Sequence, residues 1–271
     1  MKLPRLRTIL LTPLALFTVF YTAAAIRLAL DDRKVEPLVA PAASYSTIAI
    51  FGASGTAGDG ILKVAIANPD IETIYVFTRR STARIEEGVA AGKVRMVLHT
   101  DYLDYAAIRE QIAGIDAAYW AIGLSSFGVD EQTYGMIHVD FPVAFLTEWL
   151  NVGAKANASF HYISSSDISE DSSMMWAREK VRAEKALFSL AEGSNVRVIA
   201  YRPDYIGPTS EEAHLGQDLL YWFFAPVGVA VKATQIGQAM MEVTARGSQF
   251  DNGSRLGTRS IVRHSDAYER R

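Results

Sequence analysis

A doubly wound parallel α/β sheet with helices on both faces, preceded by one hydrophobic helix, is the fold class this 271-residue sequence predicts. Three observations predict it. First, an apolar, β-branched segment runs into three glycines spaced GxxGxxG, Thr47-Ile48-Ala49-Ile50-Phe51-Gly52-Ala53-Ser54-Gly55-Thr56-Ala57-Gly58, and an apolar helical pattern follows in Ile61, Leu62, Val64, Ala65 and Ile66. Second, short and almost wholly apolar strands then alternate with helical patterns. Third, residues 9–26 are uncharged, with Lys2, Arg5 and Arg7 before them and Arg27 after.

In chain order the strands read as 48–51, 73–78 (Ile74, Tyr75, Val76, Phe77), 94–98, 117–122, 160–164 and 196–201. Between them, helical periodicity covers 59–67, 105–112, 131–152 and 174–191. Strands that are apolar on both faces need cover on both faces, and right-handed crossovers supply it. Such a sheet binds ligands at the carboxyl ends of its strands.

The apolar run at 9–26 is long enough, as a helix of about 27 Å, to cross a bilayer. It reads as a membrane anchor within 1–30, and Pro13 is tolerated in its first turns. The alternative is a signal peptide cleaved near Ala23-Ala24-Ala25, which would make the protein secreted. A buried helix is disfavoured because no polar face is visible. Residues 31–46, with Pro37 and Pro41, read as a linker to a folded domain over 47–271.

A net charge of −3 argues against a nucleic-acid partner. The absence of cysteine excludes disulfides and thiolate chemistry, and five scattered histidines offer no metal-ligand spacing.

The glycine turn is the main candidate site. Its strand-turn-helix setting points main-chain N–H groups and a helix N-terminus at a pyrophosphate. Gly52 allows the tight turn, Gly55 lets the backbone approach the phosphate, and Gly58 lets the helix pack on the strand; Ser54 and Thr56 belong to the same turn. After the second strand come Arg79 and Arg80, where an acidic residue would favour NAD; arginine suits a 2′-phosphate, so NADP is expected over NAD. Asp101, after the third strand, is placed to accept from an adenine amino group, while Asp104 reads as a helix cap. Ala121 and Gly123, after the fourth, let backbone lie against a cofactor.

Strand five ends in Ser164-Ser165-Ser166. Trp176, Lys180 and Glu184 follow at i, i+4 and i+8 on one helix face, and strand six runs into Arg202-Pro203-Asp204-Tyr205-Ile206-Gly207. Together with the glycine turn and Asp101, these residues resemble the atypical and extended branch of the short-chain dehydrogenase/reductase superfamily over roughly residues 47–268. The resemblance implies a Rossmann fold and an oxidoreductase acting on a small or lipophilic carbonyl or alcohol. It implies that Ser165 or Ser166 positions the substrate carbonyl and that Lys180 holds the nicotinamide ribose. Pro203 and Ile206 carry over as cofactor contacts, and the substrate region begins near residue 205. A homodimer through long helices, the lysine-bearing one included, is a family option. A cytosolic domain is expected, where the nicotinamide pool lies.

The family's proton-donating tyrosine, four residues before the lysine, is Trp176 here. An indole N–H only donates a hydrogen bond and cannot act as a general acid. Proton delivery then falls to water or to Tyr205, Tyr134, His138 or Asp167, or the chain is a cofactor-binding regulator or scaffold without turnover. The stretch 214–224, with Leu219, Leu220, Tyr221, Trp222, Phe223 and Phe224, reads either as a core helix or as a lipophilic surface, and 236–245 as a covering helix.

Overall fold

The computed structural model describes residues 6–38, 45–211 and 215–271. Lys2, Arg5, His214 and the 39–44 part of the expected linker lie outside the described residues.

The chain opens with helix α1 (Leu6–Ala29) and then alternates strand and helix: β1 (Thr47–Phe51), α2 (Thr56–Ala67), β2 (Thr73–Thr78), α3 (Ala83–Ala90), β3 (Val94–Leu98), α4 (Arg109–Ala113), β4 (Ala117–Trp120). A longer helical segment follows as α5 (Glu131–Gly135), a π-helical turn (Met136–Asp140) and α6 (Phe141–Asn151). Then come β5 (Ala158–Ile163), α7 (Met175–Ala191), β6 (Val196–Arg202), β7 (Tyr205–Gly207), α8 (Leu215–Phe224), β8 (Ala230–Lys232), α9 (Ala233–Arg246), β9 (Ser254–Gly257) and α10 (Thr258–Glu269).

Seven strands form one parallel sheet in the order β3-β2-β1-β4-β5-β6-β9, and β7 pairs with β8 in a small parallel ribbon. The order reverses between β1 and β4, so a crevice opens there at the carboxyl ends. The predicted doubly wound sheet is therefore present.

The two faces of the sheet are packed differently. On one, Phe51 meets Phe77, Trp120 and Phe145 at ring separations of 4.8, 4.7 and 4.5 Å. On the other, Ile48, Ile50 and Val76 meet Ile61, Leu62 and Met240. Each such fully buried side chain contributes about 1.5–3 kcal/mol. Here α2 and α9 touch at backbone distance: a Cβ on Gly60 would lie 2.3 Å from the Ala233 carbonyl carbon.

Several elements depart from the sequence reading. β4 stops at Trp120 rather than 122, because the Gly52 turn packs against the Ala121 backbone. The expected helix at 105–112 is a 3₁₀ turn (Ala106–Ile108) running into α4. α3 lies outside the helices the sequence predicts; its eight residues mix Ala, Ile and Val with three charges, and it is started by Thr82, whose Oγ1 accepts from the Ile85 N–H at 3.4 Å. β9 was missed because only Leu256 of its four residues is buried. Residues 31–38 are docked rather than loose: Asp31 pairs with Arg263 at 2.6 Å, and the Val35 carbonyl accepts from Arg270 at 2.8 Å.

α8 is the largest difference. Leu219 and Trp222 are 71% and 73% exposed, which is incompatible with a core helix. Within α1, the segment Thr12–Ala29 is long and apolar enough to cross a membrane, and none of it is buried.

Candidate functional site

The glycine turn sits at the carboxyl end of β1. Gly52 has φ +79°, a conformation that glycine alone adopts cheaply, and a Cβ there would lie 2.6 Å from the Ala121 carbonyl. A Cβ on Gly58 would fall 2.0 Å from the Gly52 oxygen, so α2 starts tight against the turn. Gly55 is different: its Cβ would meet only the Gly52 oxygen, at 3.5 Å. The first two glycines are needed for folding, whereas the outward side of Gly55 is open.

Two cavities adjoin that opening. One, of about 180 Å³, is lined by Gly52, Ser54, Gly55, Arg79, Ala121 and Gly123 among others. The other, of about 460 Å³, is lined by Ser54, Gly55, Thr56, Asp59, Arg80 and Thr82 among others. Tertiary structure thus brings together most of the residues singled out around the turn.

Arg79 and Arg80 are exposed at this edge and take part in none of the ion pairs among the described residues. Asp59, a carboxylate in the wall of the larger cavity, is engaged: Arg84 Nε lies 2.5 Å from its Oδ1, and Thr209 Oγ1 donates to its Oδ2 at 2.6 Å. The free positive charge in the cleft therefore belongs to the Arg79-Arg80 pair. Asp101 is exposed, and its Oδ1 accepts from the Leu103 N–H at 3.0 Å. Asp104 accepts from the Ala106 N–H at 2.9 Å, the capping contact expected of it.

The second half of the site lies at the ends of β5 and β6. Ser165 and Ser166 are half-buried, and the Ser166 N–H donates to the Pro203 carbonyl at 3.2 Å. Trp176 is half-buried in the first turn of α7. Ile206, on β7, packs against the aliphatic core. Lys180 is buried; its Nζ donates to the Ile163 carbonyl at 2.8 Å and to the Tyr162 hydroxyl at 3.2 Å. Burial pulls the Lys180 ammonium down to about 7. Glu184, the next residue on this face, is tied to Arg202 and Arg255 at 2.6 and 2.9 Å, and these bonds hold its carboxylate below the usual range against the opposing effect of burial.

His138 connects the halves. The π-helical turn projects it inward, and a Cβ on Gly123 would lie 2.8 Å from its Cε1. Its Nε2 lies 3.3 Å from both the nitrogen and the oxygen of Leu124, and its Nδ1 is buried without a partner. Its own carbonyl accepts from the Tyr162 hydroxyl at 2.9 Å. Lys180, Tyr162 and the His138 carbonyl thus form one hydrogen-bonded chain. Tyr162 was not singled out from the sequence. The signal was present, because strand positions two apart share a face, but nothing local marked it as facing α7.

The alternative proton donors do not fit this geometry. Burial and the Lys180 charge push His138 down to about 3, so the ring is neutral at neutral pH. Burial pushes Tyr134 up to about 12, and its ring is packed 4.0 Å from that of His138. The Tyr205 hydroxyl donates to the Gln217 carbonyl at 3.2 Å. Asp167 is exposed, with a left-handed φ of +51°.

No protein-family model and no curated protein matches the chain. Solved structures do. A 3-oxoacyl-[acyl-carrier protein] reductase from Brucella melitensis in complex with NAD is 15% identical, with a TM-score of 0.61 over 82% of this chain and 98% of that one. An oxidoreductase of the short-chain dehydrogenase/reductase family from Burkholderia thailandensis is 15% identical, with a TM-score of 0.62 over 80% and 92%. A blue fluorescent protein from a metagenomic library, in complex with NADPH, is 15% identical, with a TM-score of 0.60 over 78% and 95%. The chain has the parallel Rossmann fold of short-chain dehydrogenase/reductase structures.

Proposed function

We propose that this protein binds NADP(H) and catalyses hydride exchange with a small or lipophilic carbonyl or alcohol, held at a membrane by α1. The observation that carries the reading is the opening at Gly55, at the point where the strand order reverses, beside two arginines that have no carboxylate partner among the described residues. The residues there suit a phosphorylated dinucleotide: the turn N–H groups and the α2 N-terminus would hold the pyrophosphate, and Arg79 and Arg80 would hold a 2′-phosphate. Neighbours of the same fold were solved with NAD and with NADPH, which supports a nicotinamide cofactor.

When bound, the cofactor supplies a hydride to the carbonyl carbon. This chain must then supply the matching proton to the oxygen. Lys180 is the group in this half with an acidity near neutrality, and a general acid works best there. Its contacts with Tyr162 and Ile163 fix the ammonium, and Ser165 or Ser166 orients the oxygen. Balance is kept: hydride to carbon, proton from Lys180 to oxygen, and a proton from solvent to restore the lysine.

Trp176 favours a second reading, a cofactor-responsive protein without turnover. NADPH fluorescence titration followed by turnover assays on aldehydes and ketones separates the two. We expect saturable binding that Gly55→Glu abolishes, with slow reduction. Trp176→Tyr should raise that rate by roughly 10²-fold, because it adds a phenol four residues before Lys180. Binding with no turnover in either protein would leave the second reading standing.

A further inference from the structure

We propose that α8 is immersed in the near leaflet of an anionic bilayer alongside α1, so that the domain lies on the membrane and is not merely tethered to it. The inference rests on α1 acting as an anchor and is independent of the redox chemistry.

Four large apolar side chains of α8 face outward: Leu219, Leu220, Trp222 and Phe223. Single exposed apolar residues need no explanation, but several on one short helix do. The helix carrying them is not isolated. Phe17 of α1 stacks on Phe223 at 6.1 Å, and the Tyr21 hydroxyl donates to the Phe223 carbonyl at 2.6 Å. Leu14, Leu16, Phe17, Val19 and Phe20 of α1 are themselves exposed, so the apolar surface of α8 continues that of the candidate span.

The depth is consistent. If Arg27 marks the headgroup level, Tyr21 and Phe17 lie about 9 and 15 Å below it along the helix. One leaflet of hydrocarbon is about 15 Å thick. The α8 end at Phe223 therefore sits within the near leaflet, at a depth where its apolar ring meets hydrocarbon.

Charge is complementary at the level of Arg27. Leu28 begins a cavity of about 340 Å³ whose walls include Arg33, Lys34, Arg259, Arg263 and Arg270, with Asp31 and Asp266 as carboxylates. Asp31 is already shared by Arg33 and Arg263, leaving Lys34, Arg259 and Arg270 outside the described ion pairs. Cations at that level are attracted to an anionic surface. The lipid-facing helix also borders the candidate site, since Gln217 of α8 lines the cavity with Gly55 and Arg80.

The chain has no cysteine, so single labels are clean. The full-length protein would be reconstituted into vesicles of phosphatidylcholine and phosphatidylserine after Leu219→Cys, Trp222→Cys, Val19→Cys or Glu72→Cys substitution and labelling with an environment-sensitive dye. Val19 reports on the anchor, and Glu72 is exposed at the amino-terminal end of β2, away from the carboxyl ends of the strands. We expect brominated lipid chains to quench the labels at Val19, Leu219 and Trp222, with iodide quenching only Glu72. Iodide quenching of Leu219 and Trp222 beside a lipid-quenched Val19 would overturn the proposal, as would a Val19 label untouched by lipid. Protection that appears only at high protein-to-lipid ratio would also overturn it, because a second copy would then cover α8. Nucleotide titration of the same samples reports separately on the redox reading.

Discussion

The half of the cleft around Gly55 and the half around Lys180 are built on opposite plans. The first is made largely of backbone and is open: a glycine-rich turn, a helix N-terminus and two arginines unpaired among the described residues. The second is made of side chains that already satisfy one another: Lys180 on Tyr162 and Ile163, Glu184 on Arg202 and Arg255. Binding by main chain tolerates wide change in sequence, because it needs only that no Cβ intrude. Proton transfer depends on the identity and acidity of one or two groups. The contrast explains how a chain can keep the first half and carry tryptophan where the resemblance calls for a phenol.

The sharpest way to break this comparison is at the glycines. Gly52→Val must force a β-branched residue into φ +79° and against the Ala121 carbonyl. We expect a loss of about 3 kcal/mol or more, seen in thermal or urea melts. Gly55→Ala should leave the melt within about 1 kcal/mol and weaken NADPH binding instead. Equal destabilisation by both would remove the distinction between a folding glycine and a binding glycine.

Next in size is Lys180→Met. Reduction should fall by roughly 10²-fold or more, as expected for a lost general acid. Stability should hold or rise, because a buried ammonium gives way to an apolar chain of similar volume. In the unaltered protein the reductive rate should decline as pH rises through about 7, since only the ammonium can donate. The same lowered proton affinity makes the folded state gain stability between about pH 7 and the ordinary lysine value of 10.5, where the unfolded chain still binds the proton. A rate independent of pH over that window would move the proton source elsewhere.

Glu184→Gln probes the closed half without touching the open one. Breaking a buried pair costs about 3–5 kcal/mol, and the partly exposed arginines here reduce that to about 2 kcal/mol. The folded carboxylate's pKa is held below the ordinary 4.5, so its contribution is full above that pH and fades as pH falls through the lowered value. Melts of both proteins should therefore converge in acid; a constant gap would assign the effect to packing.

Smallest is Arg80→Ala. We expect NADPH affinity to drop by about tenfold, the worth of one charge-assisted contact, with NADH affinity unchanged. Equal losses for the two cofactors would place Arg80 on the shared pyrophosphate.

Much of the architecture is legible along the chain, because β1, β2, β4, β5 and β6 are rich in apolar, β-branched and aromatic residues and α7 carries a clear period. The short edge strand β9 and the two-turn α3 are not, since their stability comes from neighbours and not from their own pattern. In the site, the turn glycines could be assigned one by one, whereas Tyr162 and the packed state of His138 could not. Their roles depend on which side chains three separate segments bring within 3 Å or so.

By itself, then, the order of residues determined the alternation of strand and helix, the glycine turn and the apolar N-terminal span, all of which are local in sequence. Tertiary structure alone decided that Lys180 is buried and weakly basic, that His138 is neutral, and that α8 faces outward beside α1. Acidity and exposure are set by what surrounds a group in space, and those neighbours come from distant parts of the chain.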